Sequence, residues 1–142
     1  LQVPGQDQPS VPQDKRSAKP RVLIVDDDQP IRILCERILQ DSCEVVTASC
    51  GRSALEVLER QTVDLLLTDL RMPNMDGVSL LTEVSKRRAV PRMLAMTGSL
   101  TEDMAGRLRA VSLSAAVIHK PFTAPTLLHA VNRALSINTP SA

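Results

Sequence analysis

The segment Leu65-Leu66-Leu67-Thr68-Asp69-Leu70-Arg71-Met72-Pro73-Asn74-Met75-Asp76-Gly77 decides the fold. It opens on a short apolar run, Val63 with Leu65-Leu66-Leu67, that lacks in/out alternation. Such a run suits a strand covered on both faces of a sheet. It closes on Asp76-Gly77, where Asp76 serves the turn. A helical pattern follows to about Lys86, with Val78, Leu81 and Val84 directed inward. Between strand and helix lies a loop headed by Asp69. Strand, loop and helix in that order form one βα unit.

The same unit recurs on both sides. Upstream, Val22–Val25 precedes a stripe of Ile31, Leu34, Cys35, Ile38 and Leu39, spaced for one face of a helix. Pro30 fits the first turn of that helix, and Asp28 stands where a cap belongs. Val45–Ala48 is a less purely apolar run, and Gly51 opens a helix through about Arg60. Downstream, Met93–Met96 precedes a helix at about Glu102–Arg109 that uses Met104, Leu108 and Val111. Ala115–Ile118 precedes a helix at about Ala124–Leu135 that uses Leu127, Leu128, Val131 and Leu135. Five successive βα units predict a parallel sheet with right-handed crossovers and helices on both faces. The strand order 2-1-3-4-5 is one of the two common solutions, and its ligands bind beyond the carboxyl ends of the strands, between the first and third.

Polar residues sit at those ends. Asp26 and Asp27 follow the first strand, Asp69 the third, Thr97 the fourth, and Lys120 closes the fifth. A strand end is where polar loop residues ordinarily begin, so no one of them is informative alone. Together they form a working set. Neighbouring carboxylates repel by about 4 kcal/mol per pair at 4 Å in a medium of effective dielectric near 20. Such a cluster shifts its pKa values or holds a cation. Oxygen ligands favour a hard ion such as Mg2+, which keeps several waters and leaves room for phosphate oxygens. Asp69 is then a candidate nucleophile for a phosphoryl group, with Lys120 as cation and the Thr97 hydroxyl as donor.

VLIVDDD at 22–28, LLLTDLRMPNMDG at 65–77, AMTG at 95–98 and HKPF at 119–122 stand in the order and spacing of a known family. Over about residues 20–135 the chain resembles the receiver domain of two-component response regulators. The resemblance implies a flavodoxin-like fold and a signalling module rather than a metabolic enzyme. It implies that Asp69 is the phosphoacceptor, with Lys120 contacting the phosphoryl group and Thr97 the switch hydroxyl. Asp26, Asp27, Asp69 and the Arg71 backbone carbonyl would hold Mg2+. It further implies a cis Lys120-Pro121 bond, a phosphohistidine donor on a sensor histidine kinase or phosphotransfer protein, and output through the face formed by the fourth helix, fifth strand and fifth helix. Two positions depart from the family: Val117 stands where an aromatic switch residue is usual, and Leu113 replaces a glycine before the fifth strand.

Rival chemistries fit less well. A phosphohydrolase of the haloacid dehalogenase type wants an acid two residues after its nucleophile, where this chain has Arg71. A pseudo-receiver that acts only by binding protein has no use for the complete Asp, Asp, Asp, Thr, Lys set. His119 and His129 read as neutral surface histidines, and Lys86-Arg87-Arg88 as a solvated helix end.

The bulk properties agree. The chain has 142 residues, 17 basic and 16 acidic, for a net charge of +1, which gives no general case for nucleic acid. Phe122 is the single aromatic residue, so stacking platforms for bases are lacking. No apolar run approaches the ~20 residues of a membrane span. Cys35, Cys43 and Cys50 match no zinc spacing and read as thiols of a reducing cytoplasm. Residues 1–19 and 137–142 read as loose tails flanking one domain at 20–136, the first rich in Pro, Gln and Ser. The short tails leave no room for an output domain, so the expectation is either a single-domain regulator with a downstream protein target or a piece of a larger regulator or hybrid kinase.

Overall fold

A computed structural model describes residues 19–111 and 116–137, so Leu113, Ala115 and the expected tails, apart from Lys19 and Ile137, lie outside the described residues. The elements run β1 Arg21–Val25, α1 Gln29–Leu39, β2 Glu44–Ala48, α2 Gly51–Arg60, β3 Leu65–Asp69, α3 Gly77–Arg87, β4 Arg92–Thr97, α4 Glu102–Val111, β5 Ala116–His119 and α5 Ala124–Ile137. The strands form one parallel sheet in the order β2-β1-β3-β4-β5, as expected.

The sheet divides two cores. Leu23, Val25, Leu66 and Ala95 face α2, α3 and α4, burying Ala54, Val78, Leu81, Val84 and Leu108. Val22, Ile24, Leu65, Leu67, Leu94 and Met96 face α1 and α5, burying Cys35, Leu39, Leu127 and Val131. Central β3 is buried along its whole length, whereas edge strands β2 and β5 are partly exposed. This is why the second run looked less purely apolar: an edge strand needs fewer apolar residues.

Four local readings are revised. Val63 is buried but precedes β3, which starts at Leu65. Leu80 is buried beside Leu81 on α3, although the helical spacing did not single it out. Leu34 belongs to the expected stripe of α1, yet it is 42% exposed. It lies about 100° around the helix from Cys35, at the margin of a face set by Cys35 and Leu39 with Ile31 and Ile38 beside them. Asp28 occupies the N-cap position of α1, but its side chain makes no cap hydrogen bond. Its backbone carbonyl accepts from Ile31 and Arg32 instead. The side-chain caps of α2 and α3 are Cys50, whose sulfur accepts from the Ser53 amide at 3.5 Å, and Asp76, whose carboxylate accepts from the Ser79 amide at 2.8 Å.

Candidate functional site

Parallel pairing brings the carboxyl ends of the strands level. The Asp26 amide donates to Ala48, the Leu70 amide to Met96 and the Lys120 amide to Thr97. Side chains far apart in sequence therefore share one rim. The carboxylates of Asp26, Asp27 and Asp69 each offer an oxygen, and these oxygens all lie within 4.8 Å of one another. Asp26 is fully buried, Asp69 is 6% exposed and Asp27 lies open to solvent.

Lys120 holds the two buried acids together. Its ammonium donates to Asp26 Oδ2 at 2.8 Å and lies 3.3 Å from Asp69 Oδ1. The peptide bond that follows, Lys120-Pro121, is cis, as the resemblance implied. Asp26 is fixed further. Its Oδ1 accepts from the Asp28 amide at 2.9 Å, and the Arg32 guanidinium donates to its backbone carbonyl at 2.6 Å. Burial, and then the charge of Asp26, push the Asp69 carboxyl above its ordinary value, against the pull of Lys120 and of the Arg71 backbone amide that hydrogen-bonds to it. Burial would lower the Lys120 ammonium, but the two carboxylates outweigh it and raise it. Two acids sharing one base form an electrostatically unsatisfied site, which an added cation would complete. An all-oxygen donor set with one exposed member suits Mg2+.

Thr97 is buried at the end of β4, on the same rim, with its hydroxyl turned to its own loop. It donates to the Ser99 carbonyl at 3.2 Å and accepts from the Ser99 amide at 3.1 Å. Arg71 is exposed at the start of the β3–α3 loop. Val117 is half-buried and packs with the core under α2, α3 and α4.

Three supporting features escaped the reading of the sequence. Gly77 leaves no room for a side chain, since a Cβ there would fall 2.1 Å from the Asp69 carbonyl oxygen and 2.7 Å from Leu70 Cα. Its amide donates to the Leu70 carbonyl at 3.0 Å, seating the start of α3 on the backbone of Asp69. The signal was the glycine at the mouth of a helix, legible as a turn but not as a close approach. Arg32 stands six residues after Asp26, and nothing in the spacing marked its bond to the Asp26 carbonyl. Arg107 of α4 grips Asp76, 31 residues away, a pairing no local pattern announces.

A family model described as the response regulator receiver domain matches residues 22–132. The transcriptional regulatory protein GlrR of Escherichia coli K12 is 33% identical over 129 residues, which cover 88% of this chain and 28% of GlrR. The transcriptional regulatory protein PdtaR of Mycobacterium tuberculosis H37Rv is 32% identical over 118 residues, 82% of this chain and 57% of PdtaR. The chain thus spans from about a quarter to just over half the length of these curated relatives. Among solved structures, the chemotaxis protein CheY4 of Vibrio cholerae superposes with a TM-score of 0.78 at 31% identity, covering 83% of this chain and 100% of that one. A CheY-like receiver domain protein of Methanospirillum hungatei gives 0.77 at 30% identity, covering 84% and 95%. With sheet order, acidic rim and lysine already in agreement, the chain belongs to the response regulator receiver domain family of two-component signalling.

Proposed function

We propose that Asp69 accepts a phosphoryl group from a phosphohistidine on a sensor histidine kinase or phosphotransfer protein, and that the domain signals by the change of shape that follows. The observation that carries this reading is the Lys120 ammonium set between the Asp26 and Asp69 carboxylates, with Asp27 completing the acidic cluster. An Asp69 oxygen attacks phosphorus in line with the phosphorus–nitrogen bond. That bond breaks as the new phosphorus–oxygen bond forms, and the imidazole departs with the electron pair. Catalysis here is positioning and charge neutralisation. Lys120 is poised to meet a phosphoryl oxygen, the Arg71 amide already faces the Asp69 carboxylate, and the Thr97 hydroxyl is one side-chain rotation from leaving Ser99. Mg2+ held by Asp26, Asp27, Asp69 and the Arg71 carbonyl would neutralise charge on the phosphoryl oxygens.

The output passes through the face of α4, β5 and α5 to a protein, either a fused output domain or a separate target. The three free thiols suit a reducing cytoplasm, and no helix among the described residues is long and apolar enough to cross a membrane. Incubation with acetyl phosphate and Mg2+ should phosphorylate the protein. Asp69→Asn, or chelation of the metal, should abolish labelling. Equal labelling of the Asn variant would overturn the assignment.

A further inference from the structure

We propose that the Arg107–Asp76 pair is a latch that holds α4 in its resting position, so that loosening it favours the activated form; this rests on the phosphoacceptor reading of Asp69. The Arg107 guanidinium binds Asp76 through both Nη atoms, at 3.0 Å to Oδ2 and 3.2 Å to Oδ1. It also donates to the Ser79 hydroxyl at 3.3 Å. Asp103, one turn earlier on α4, stands 4.0 Å from the same guanidinium and adds a weak second carboxylate. A two-pronged contact of this kind fixes geometry as well as charge.

Both ends of the latch lead back to the phosphorylation site. Asp76 caps α3 through the Ser79 amide, and Gly77 beside it is pressed on the backbone of Asp69 with no space for a Cβ. Asp76 therefore keeps a fixed position relative to the phosphoacceptor. On the other side, Thr97 anchors the β4–α4 loop through two bonds to Ser99, and Thr101 in that loop caps α4 through the Met104 amide at 3.1 Å. If the Thr97 hydroxyl turns to a phosphoryl oxygen, both Ser99 bonds break and the loop can carry the cap of α4 with it. Arg107 sits less than two turns along the same helix and ties it to Asp76 at the mouth of α3. Among the described residues, its contact with Asp76 is the ion pair that fastens α4 to another element. A contact made in one state and strained in the other biases the equilibrium by that difference.

The test is beryllofluoride binding in the presence of Mg2+, followed by amide chemical shifts, in the wild type, Arg107→Gln, Asp76→Asn and the double variant. Asp76→Asn keeps an oxygen to cap α3, so it separates the latch from the cap. Each single variant should bind beryllofluoride about threefold more tightly, a modest gain because the pair is half exposed. The double variant should gain no more than either single one. Urea melts run beside the titrations register any general loosening of the fold. Unchanged or weaker beryllofluoride binding, with or without a fall in the urea midpoint, would overturn the latch. So would gains that add in the double variant, since the two residues would then act separately. A wild type that binds no beryllofluoride would instead overturn the phosphoacceptor reading, and the latch with it.

Discussion

Asp26, Asp69 and Lys120 set the energetics of the site. Asp26 is fully buried, and the ammonium paired with its carboxylate is shared with a second acid. Removing one partner of a buried pair leaves an uncompensated charge, which costs several kcal/mol. Lys120→Met should therefore destabilise the fold by about 3 kcal/mol. Asp69→Asn should do the reverse. It removes the second claim on Lys120 and one buried negative charge, for a gain on the order of 1 kcal/mol. Urea denaturation without Mg2+ checks both, and a less stable Asn variant would show that the two acids are not in competition. These residues were legible in the sequence because each stands at the end of an apolar run, and parallel strands bring their ends together. Arg107 and Arg32 were not, since which basic residue meets a given acceptor depends on how helices rest on the sheet.

At the scale of elements, the start of α3 matters most. Gly77→Ala should cost about 3 kcal/mol, because the new methyl meets backbone that cannot move aside. Gly51→Ala should cost much less, although its Cβ would lie 2.5 Å from Met75 Sδ, because a methionine side chain can swing away. The two variants compared by thermal melting test that distinction. Burial would raise the Asp76 carboxyl, but Arg107 and the Ser79 amide outweigh it and hold it below the ordinary value of 3.8. A lowered carboxylate contributes stability above its unfolded pKa and loses it as pH falls through the folded one. The stability gap between wild type and Asp76→Asn should thus be full near neutrality and should close as pH drops below about 3.8. A gap that persists in acid would mean that the charge of Asp76 is not what stabilises α3. Helices and central strands were readable from periodicity. Caps were not: Asp28 looks like one and makes no side-chain bond, whereas Cys50 does the work of one at α2.

For the whole molecule, the order of the strands followed from five repeated units, while the route by which a signal leaves the site did not. Most of the proposed route runs through contacts of α4 that no sequence pattern marks. Val117 is short and β-branched, so its χ1 is restricted, and it already packs against the core. Activation should move the segment Gly98–Thr101 and the first turns of α4, with smaller shifts in β5 and α5. Hydrogen exchange with and without beryllofluoride should show this. Changes confined to α1 and α2 would refute it, and large changes centred on Val117 would show that the valine itself switches. All of this depends on which atom takes the phosphoryl group. Reduction of the phosphorylated protein with borohydride converts an aspartyl phosphate to homoserine, which peptide mass spectrometry can place. Homoserine at position 69, absent without Mg2+, is the predicted result; homoserine elsewhere, or none in a protein that has taken up phosphate, would contradict it.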